Sequence, residues 1–423
     1  MSVTIAGLVW MLALVIAFFS KRPIMMLALL ILSMVFQATS LIIFRGEGIG
    51  PQSIVSMTFS IWIILRKLMA FKGKIGILRR DKIGRISRIS VILFTVTLAL
   101  GLQKAATDEI HVENAYLRLA QLSIYMLCFA LLWSRTVRFR QKEIDYVIVL
   151  TTVVVVVIGA LQFLTTTNIL SRNAFWDMLI YAGETENVAY YLPYYKRIFS
   201  TFMEPSYCAA FLVGAFYYLI SKEKINRNML ILSLVVLAEI ILTFSSTAYG
   251  AFFVTGVIYV LCSHNKRVLK LLVPVGIIIV FWLGITGALQ DILSEVIFNK
   301  MDSGSAHTRG VWDRRAIAAF MENPWTGQGY KLVRGSHLYT SLLGQIGVVG
   351  TLMYGLMVVP LAVTALRMKK LNSAVLFLAG VLAAQMIAIP DIDFCIFWQG
   401  MYILVLCIRA NNEEDNAIKL EGN

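Results

Sequence analysis

Charge is what this sequence has least of. Lys and Arg together number 38 and Asp and Glu 24, so 15% of the 423 residues are charged, against about a quarter in a soluble globular domain. That shortage excludes an ordinary water-covered surface. Proline, histidine and cysteine are scarce as well, at 8, 4 and 5 residues. Cys128, Cys208, Cys262, Cys395 and Cys407 fall within or at the ends of apolar runs, with neither metal-ligand spacing nor the pattern of a disulfide framework. No phosphate-binding GxxxxGK[ST] loop, HExxH helix or GxSxG elbow occurs. The sequence calls for no metal and no cofactor.

Long apolar runs are present from end to end. The chain is 59% apolar with a mean hydropathy of +0.77. Each run of about 20 residues can span roughly 30 Å of hydrocarbon as a helix. The expected fold class is all-α: a single polytopic transmembrane helical bundle covering residues 1–423, with about 13 spans (range 12–14). The net charge of +14 would suggest nucleic acid in a soluble chain. Here the basic residues cluster in short loops and fix topology by the positive-inside rule, so no nucleic-acid partner is expected. The loop Arg66–Arg88 is the clearest case, with nine Lys or Arg against the single acid Asp81. It is expected on the cytoplasmic side, where it would also attract anionic membrane lipids.

Spans are expected over Val3–Phe19, Ile24–Phe44, Pro51–Leu65, Ser90–Leu102, Tyr116–Trp133, Tyr146–Leu164, Pro205–Ile220, Met229–Phe244, Tyr249–Cys262, Leu271–Leu289, Leu338–Leu366, Ala374–Ile389 and Phe394–Ile408. With the N-terminus outside and the polar tail from Arg409 inside, the strongly basic loops share one face. Two long polar loops, 165–204 and 290–337, fall on the other face. The first is rich in aromatics such as Phe175, Trp176 and Tyr190, which suit either the headgroup zone or stacking on sugar rings. The second lies largely within Met301–Gly350, which gathers four arginines, two of the four histidines and Asn323-Pro324.

Six residues in these loops are candidates for chemistry. Arg197 lies seven residues before Glu204 at the mouth of a span; it is either an interfacial arginine or a phosphate ligand. Glu204 precedes Pro205, which suits the first turn of a helix. Glu204 either stabilises that helix start by its charge or accepts a hydrogen bond from a sugar hydroxyl. In the second loop Arg309, Trp312, Ala316 and Phe320 recur at helical spacing, so Arg309–Met321 reads as a short amphipathic helix. Asp313 is placed to pair with Arg309 at i+4. Arg315 points elsewhere on that helix, and Gly327 and Gly329 permit a tight turn after it. Arg334 and His337 arrive just before the next span. An imidazole can take a proton from an alcohol near neutral pH, so His337 is either the base or an interfacial histidine with a satisfied hydrogen bond. Glu239 within a span is a functional candidate by its cost in the membrane, and a neighbouring serine or tyrosine is an equal structural reading. Asp391 and Asp393 have the DxD spacing of a metal-binding transferase, but on the outer side they read as a turn.

Three groups of residues together resemble the O-antigen polymerase and O-antigen ligase superfamily. One is Arg197-Ile198-Phe199-Ser200-Thr201-Phe202-Met203-Glu204-Pro205-Ser206, which is similar to that family's upstream arginine motif. Thr243-Phe244-Ser245-Ser246-Thr247-Ala248-Tyr249-Gly250 resembles its serine-rich turn. The third is Arg309, Trp312 and Asn323-Pro324-Trp325-Thr326-Gly327-Gln328-Gly329, followed by Ser336-His337-Leu338-Tyr339 and Gly347-Val348-Val349-Gly350. The resemblance implies glycan transfer from a polyprenyl-pyrophosphate-linked oligosaccharide on the outer face of the cytoplasmic membrane. Arg197 and Arg309 would bind the pyrophosphate and His337 would be a candidate base. A flippase and a chain-length regulator would be its partners. Two departures, His337-Leu338 in place of His-Asn and Glu204-Pro205-Ser206 in place of Asn-Pro-Asn, lean towards a Wzy-type repeat-unit polymerase over a ligase. A transporter or flippase is the reading from another class. It is disfavoured because transporters place polar groups near mid-membrane, whereas this chain places them in loops.

Overall fold

The structure, a computed structural model, describes residues 2–44, 47–70, 82–103, 109–134, 136–166, 197–222, 225–262, 304–368 and 372–421. The expected span Leu271–Leu289, the aromatic part of the first long loop, and residues 71–81 of the basic loop lie outside them.

The described residues are mostly helical, with thirteen helices. In chain order these are α1 (Ile5–Phe19), α2 (Pro23–Ser33), α3 (Pro51–Ala70), α4 (Lys82–Gln103), α5 (Glu109–Leu132), α6 (Gln141–Thr166), α7 (Pro205–Ile220), α8 (Arg227–Leu242), α9 (Ser246–Cys262), α10 (Gly304–Glu322), α11 (Leu338–Arg367), α12 (Asn372–Ala388) and α13 (Cys395–Glu421). Stretches in α5, α6 and α11 are long and apolar enough to cross a membrane: Ala115–Leu132, Gln141–Thr165 and Leu338–Arg367. The outward faces of α1 (Leu8, Leu12, Phe19) and α9 (Phe253, Leu261) are exposed and apolar, as lipid contact demands and water does not favour. The chain is a helical membrane protein.

Four expectations need correction or refinement. The helical class holds with one addition: Ser2–Val3 (β1), Ile42–Phe44 (β2) and Glu47–Ile49 (β3) form a small antiparallel sheet in the order β1-β2-β3. The apolar run Ile24–Phe44 is helical only to Ser33. Beyond it, tertiary hydrogen bonds replace helical ones. Ala38 N donates to Thr201 O at 3.1 Å, Thr201 Oγ1 to Val35 O at 2.6 Å, and Gln37 Nε2 to Cys395 Sγ at 3.0 Å. A buried backbone tolerates leaving the helix when its polar groups find such partners. The last helix runs past the end of the expected span at Ile408 and through the polar tail to Glu421.

The fourth correction concerns α11, expected as one tilted span. It is broken at Gly347, whose φ of 61° and ψ of −166° are non-helical. The loop after α10 fills the break with its own backbone. Gln328 N and Gly329 N donate to Gly344 O and Gln345 O, each at 2.9 Å, while Val348 N and Val349 N donate to Pro324 O and Trp325 O. A Cβ on Gly347 would come within 2.5 Å of Thr326 N, so only glycine fits both the angle and the space. Gly327, with φ 64°, makes the matching turn on the loop side. The short first piece of α11 is thereby locked to the 323–337 loop.

At the centre, α7 is buried along almost its whole length, and α12 lies against it. A Cβ on Gly214 would meet Phe377 O at 2.9 Å and one on Gly380 would meet Gly214 N at 3.0 Å. Small residues at such crossings let helix backbones approach in lipid. At one end of this core, Lys222 and Asp145 pair at 2.7 Å. Nearby Arg409 donates to the carbonyls of Leu132, through Nη1, and Val137, through Nη2 at 2.9 Å. At the opposite end the start of α7, the start of α11 and the α12–α13 turn converge.

Candidate active site

The starts of two helices and one turn build this end of the molecule. Pro205 opens α7 with Glu204 as its N-cap, and Glu204 Oε2 accepts from Ser206 Oγ at 3.1 Å. His337 is the N-cap residue of α11, in extended conformation. The α12–α13 turn carries Pro390 to Phe394.

His337 has a carboxylate partner that the spacing did not foretell. Its Nδ1 lies 2.8 Å from Asp313 Oδ2. The other oxygen of Asp313 is fully engaged: Ser336 N donates to Oδ1 at 2.8 Å and Thr340 Oγ1 lies 2.6 Å from it. Asp313 therefore does not serve Arg309, as i+4 spacing suggested. It is fixed by the start of α11, with one oxygen left for the imidazole. The contact is a close approach of charge and not an aligned hydrogen bond, since Nδ1 has no hydrogen-bond partner. A carboxylate there favours the tautomer with its proton on Nδ1 and Nε2 as the acceptor. Tyr339 stacks on the His337 ring, with centroids 5.3 Å apart. Ser336 Oγ donates to Arg309 O at 2.8 Å, tying α10 to the same point. Arg334, three residues before His337, lies over the Trp312 ring with its guanidinium carbon 4.5 Å from the centroid.

Behind this pair opens a cavity of about 460 Å³, within the roughly 300–1,000 Å³ of small-molecule sites. Arg334, Ser341 and Gln345 line it from the α11 side and Met203 and Tyr207 from the α7 side. The two polar stretches that topology alone placed on one face thus share a wall. Sequence reasoning missed the groups on its floor. Lys331 Nζ lies 2.8 Å from Asp391 Oδ1 and 2.7 Å from Asp393 Oδ1. Tyr207 OH donates to Asp391 Oδ2 at 2.8 Å. Lys331 itself has a left-handed φ of 62°, uncommon for a side-chain-bearing residue, and its N–H donates to Gln345 Oε1 at 3.0 Å. Burial disfavours the Asp391 carboxylate. Lys331 outweighs burial, with smaller help from Arg334 and the Tyr207 hydroxyl, and holds the carboxyl well below its ordinary range. Burial also works against the Lys331 ammonium, and the two carboxylates overcome it and raise its pKa.

The six sequence candidates divide accordingly. His337 and Arg334 are neighbours. Arg309 meets them only through its backbone carbonyl, which accepts from Ser336 Oγ, and the residue is exposed. Glu204 sits one turn from Tyr207 at the cavity wall. Arg315 is exposed on α10, and no contact carries it to His337. Arg197 is half-buried elsewhere, its Nε donating to Thr243 O at 2.9 Å at the end of α8, and it does not line the cavity. His307 is exposed on α10. Glu239 is buried against Gly159, where a Cβ would meet its Oε1 at 2.4 Å. Asp391 and Asp393 form more than a turn, because both grip Lys331. Among the described residues, no group of three or more His, Cys, Asp or Glu could hold a metal ion.

Residues 229–345 match the family model described as O-antigen ligase. No curated protein matches the chain. The matched stretch runs from α8 to the first piece of α11, takes in Asp313, Lys331, Arg334 and His337, and bears out the resemblance to the O-antigen polymerase and ligase superfamily. Tyr207, Asp391 and Asp393, which complete the cavity floor, lie outside it.

Proposed function

We propose that this membrane protein, which matches the O-antigen ligase family model over residues 229–345, polymerises polyprenyl-pyrophosphate-linked oligosaccharide repeat units on the outer face of the cytoplasmic membrane. The observation that carries the reading is the Asp313–His337 pair at 2.8 Å, three residues from Arg334, which lines a polar cavity. His337 Nε2 takes the proton of an acceptor sugar hydroxyl as that oxygen attacks the donor's anomeric carbon. The bond from that carbon to the phosphate oxygen breaks. Polyprenyl pyrophosphate leaves with the electron pair, and the anomeric centre inverts. Arg309 and Arg334 stabilise the charge that develops on the leaving group, as guanidinium groups do in place of a metal. Arg197 and Arg315 stand as further donor-binding candidates from the sequence motif and the charge of α10. Neither has a contact that carries it to His337.

A ligase, moving a finished glycan to a different acceptor, is the second reading, favoured by the description of the matching family model. His337-Leu338 and Glu204-Pro205-Ser206 support the polymerase. Reconstitution with a polyprenyl-pyrophosphate oligosaccharide separates them. A ladder of repeat units is the expected result. Transfer only to another acceptor gives the ligase, and movement of intact lipid-linked glycan without new bonds overturns both.

A further inference from the structure

We infer that the cavity behind His337 is the subsite for the uncharged sugar portion of the substrate, and that the Lys331–Asp391–Asp393 cluster with the facing glutamines recognises its hydroxyl groups. The inference rests on the glycan-transfer reading and adds to it which part of the substrate goes where.

The cavity walls carry groups of both donor and acceptor type. Gln37, Gln52, Gln121 and Gln345 come from four separate segments and all line it. An amide has two donors and a carbonyl acceptor. Gln37, Gln121 and Gln345 each use part of that set within the fold, on Cys395, on Tyr125 and Arg118, and on Lys331 N. The remainder suits a polyol in which every hydroxyl both gives and accepts. Gln52 is buried, and its Oε1 has no hydrogen-bond partner, a cost that a ligand or water hydroxyl would relieve.

The Lys331 cluster at the floor offers an anion no unbalanced cation. Lys331 is held at 2.8 and 2.7 Å by two carboxylates, so its ammonium is already balanced and is not left to bind an anion. The other cations of the lining are Arg118 and Arg334. Asp391 stays ionised because Lys331 and the Tyr207 hydroxyl hold it so. A carboxylate acceptor beside an ammonium donor suits adjacent sugar hydroxyls, each of which can donate to one and accept from the other. Arg334 lines the cavity on the side that leads to His337, three residues on, and has no ion pair among the described residues. Pyrophosphate on that side and sugar in the cavity set the reacting anomeric carbon between them, within reach of the imidazole.

The test uses the full-length protein purified from membranes. One probe is inorganic pyrophosphate. The other is the repeat-unit oligosaccharide released by mild acid from the lipid-linked pool of the producing cells. Binding of each is measured by calorimetry to the parent protein and to Gln52→Leu, Gln345→Leu and Asp391→Asn, with thermal unfolding recorded for each variant. Variants that keep the parent's unfolding midpoint should bind the oligosaccharide at least tenfold more weakly and pyrophosphate within about twofold of the parent. Gln52→Leu leaves the ion cluster intact, so it decides the matter if Asp391→Asn fails to fold. Weaker pyrophosphate binding with oligosaccharide binding unchanged would overturn the inference, as would failure of the parent protein to bind the oligosaccharide. A protein that binds the oligosaccharide through these glutamines yet forms no glycosidic bond on reconstitution would retain the subsite and refute the transferase.

Discussion

Two lysine–aspartate–tyrosine clusters stand at opposite ends of the bundle, built from the same groups. At one, Lys222 Nζ, Tyr218 OH and Gln141 Nε2 all donate to Asp145 Oδ1, at 2.7, 2.6 and 2.8 Å. The Lys222 ammonium lies 4.1 Å over the Tyr218 ring. At the other, Tyr207 and Lys331 divide the two oxygens of Asp391, and Lys331 reaches a second carboxylate. The first cluster joins the start of α6 to the end of α7 and acts as a strut. The second joins three segments around a cavity, beside the Asp313–His337 pair. Composition is the same and surroundings differ, so function follows from what each cluster faces.

The largest expected effect lies beside the second cluster. His337→Ala should lower turnover about 10²–10⁴-fold, the usual range for losing a general base, with protein amount unchanged. Measurement is by polymer formation in reconstituted vesicles, normalised to protein. Turnover near that of the parent would remove His337 from the chemistry. Asp313→Asn comes next. Asparagine can still accept from Ser336 N through its carbonyl, so the start of α11 is kept. It presents an amide donor to Nδ1, however, and the imidazole then turns to the tautomer with its proton on Nε2. Turnover should fall about 10–100-fold with KM unchanged, in line with losses seen when a histidine's orienting partner is removed. Equal losses in binding and turnover would make Asp313 a fold support only.

Membrane character, the helical class, the α10 helix and the importance of the His337 region were legible in the sequence, because each is written in local periodicity or hydropathy. The partner of Asp313 was not. Spacing of i+4 offered Arg309, and only the tertiary approach of α10 to α11 brings His337, 24 residues on. Lys331 drew no attention because nothing in its neighbourhood marks it, and its partners lie 60 and 62 positions away. Asp391 and Asp393 looked like a turn for the same reason. The end of α2 at Ser33 was hidden by an apolar run that continues to Phe44. What breaks that helix is a set of hydrogen bonds from Thr201 and Cys395, which hydropathy does not record.

The two clusters can be set against each other directly. Asp145→Asn and Asp391→Asn each remove a charged hydrogen-bond acceptor, worth about 1.5–3 kcal/mol in a typical case. Asp145→Asn should lower the unfolding midpoint and leave oligosaccharide binding as it was. Asp391→Asn should weaken that binding at least tenfold. If the two variants behave alike in both assays, the second cluster is also only a strut.

The smallest effect sharpens the comparison through pH. Asp391 has its pKa lowered in the fold, so its contribution to stability is complete above the ordinary carboxylate value of about 4 and is lost as pH falls below it. Lys331 has its pKa raised, so its contribution is complete below the ordinary lysine value of about 10.4 and is lost as pH rises past it. The cluster should therefore hold between about pH 5 and pH 10. Lys331→Met leaves Asp391 and Asp393 buried side by side without a counter-ion, so protonation relieves the variant as pH falls. The difference in unfolding midpoint between the parent protein and Lys331→Met should be largest near neutral pH and shrink towards low pH and past about pH 10. A difference that stays level throughout would show that Lys331 and Asp391 are not ionised together. The cavity floor would then lack the fixed charge pair on which recognition of a sugar hydroxyl depends.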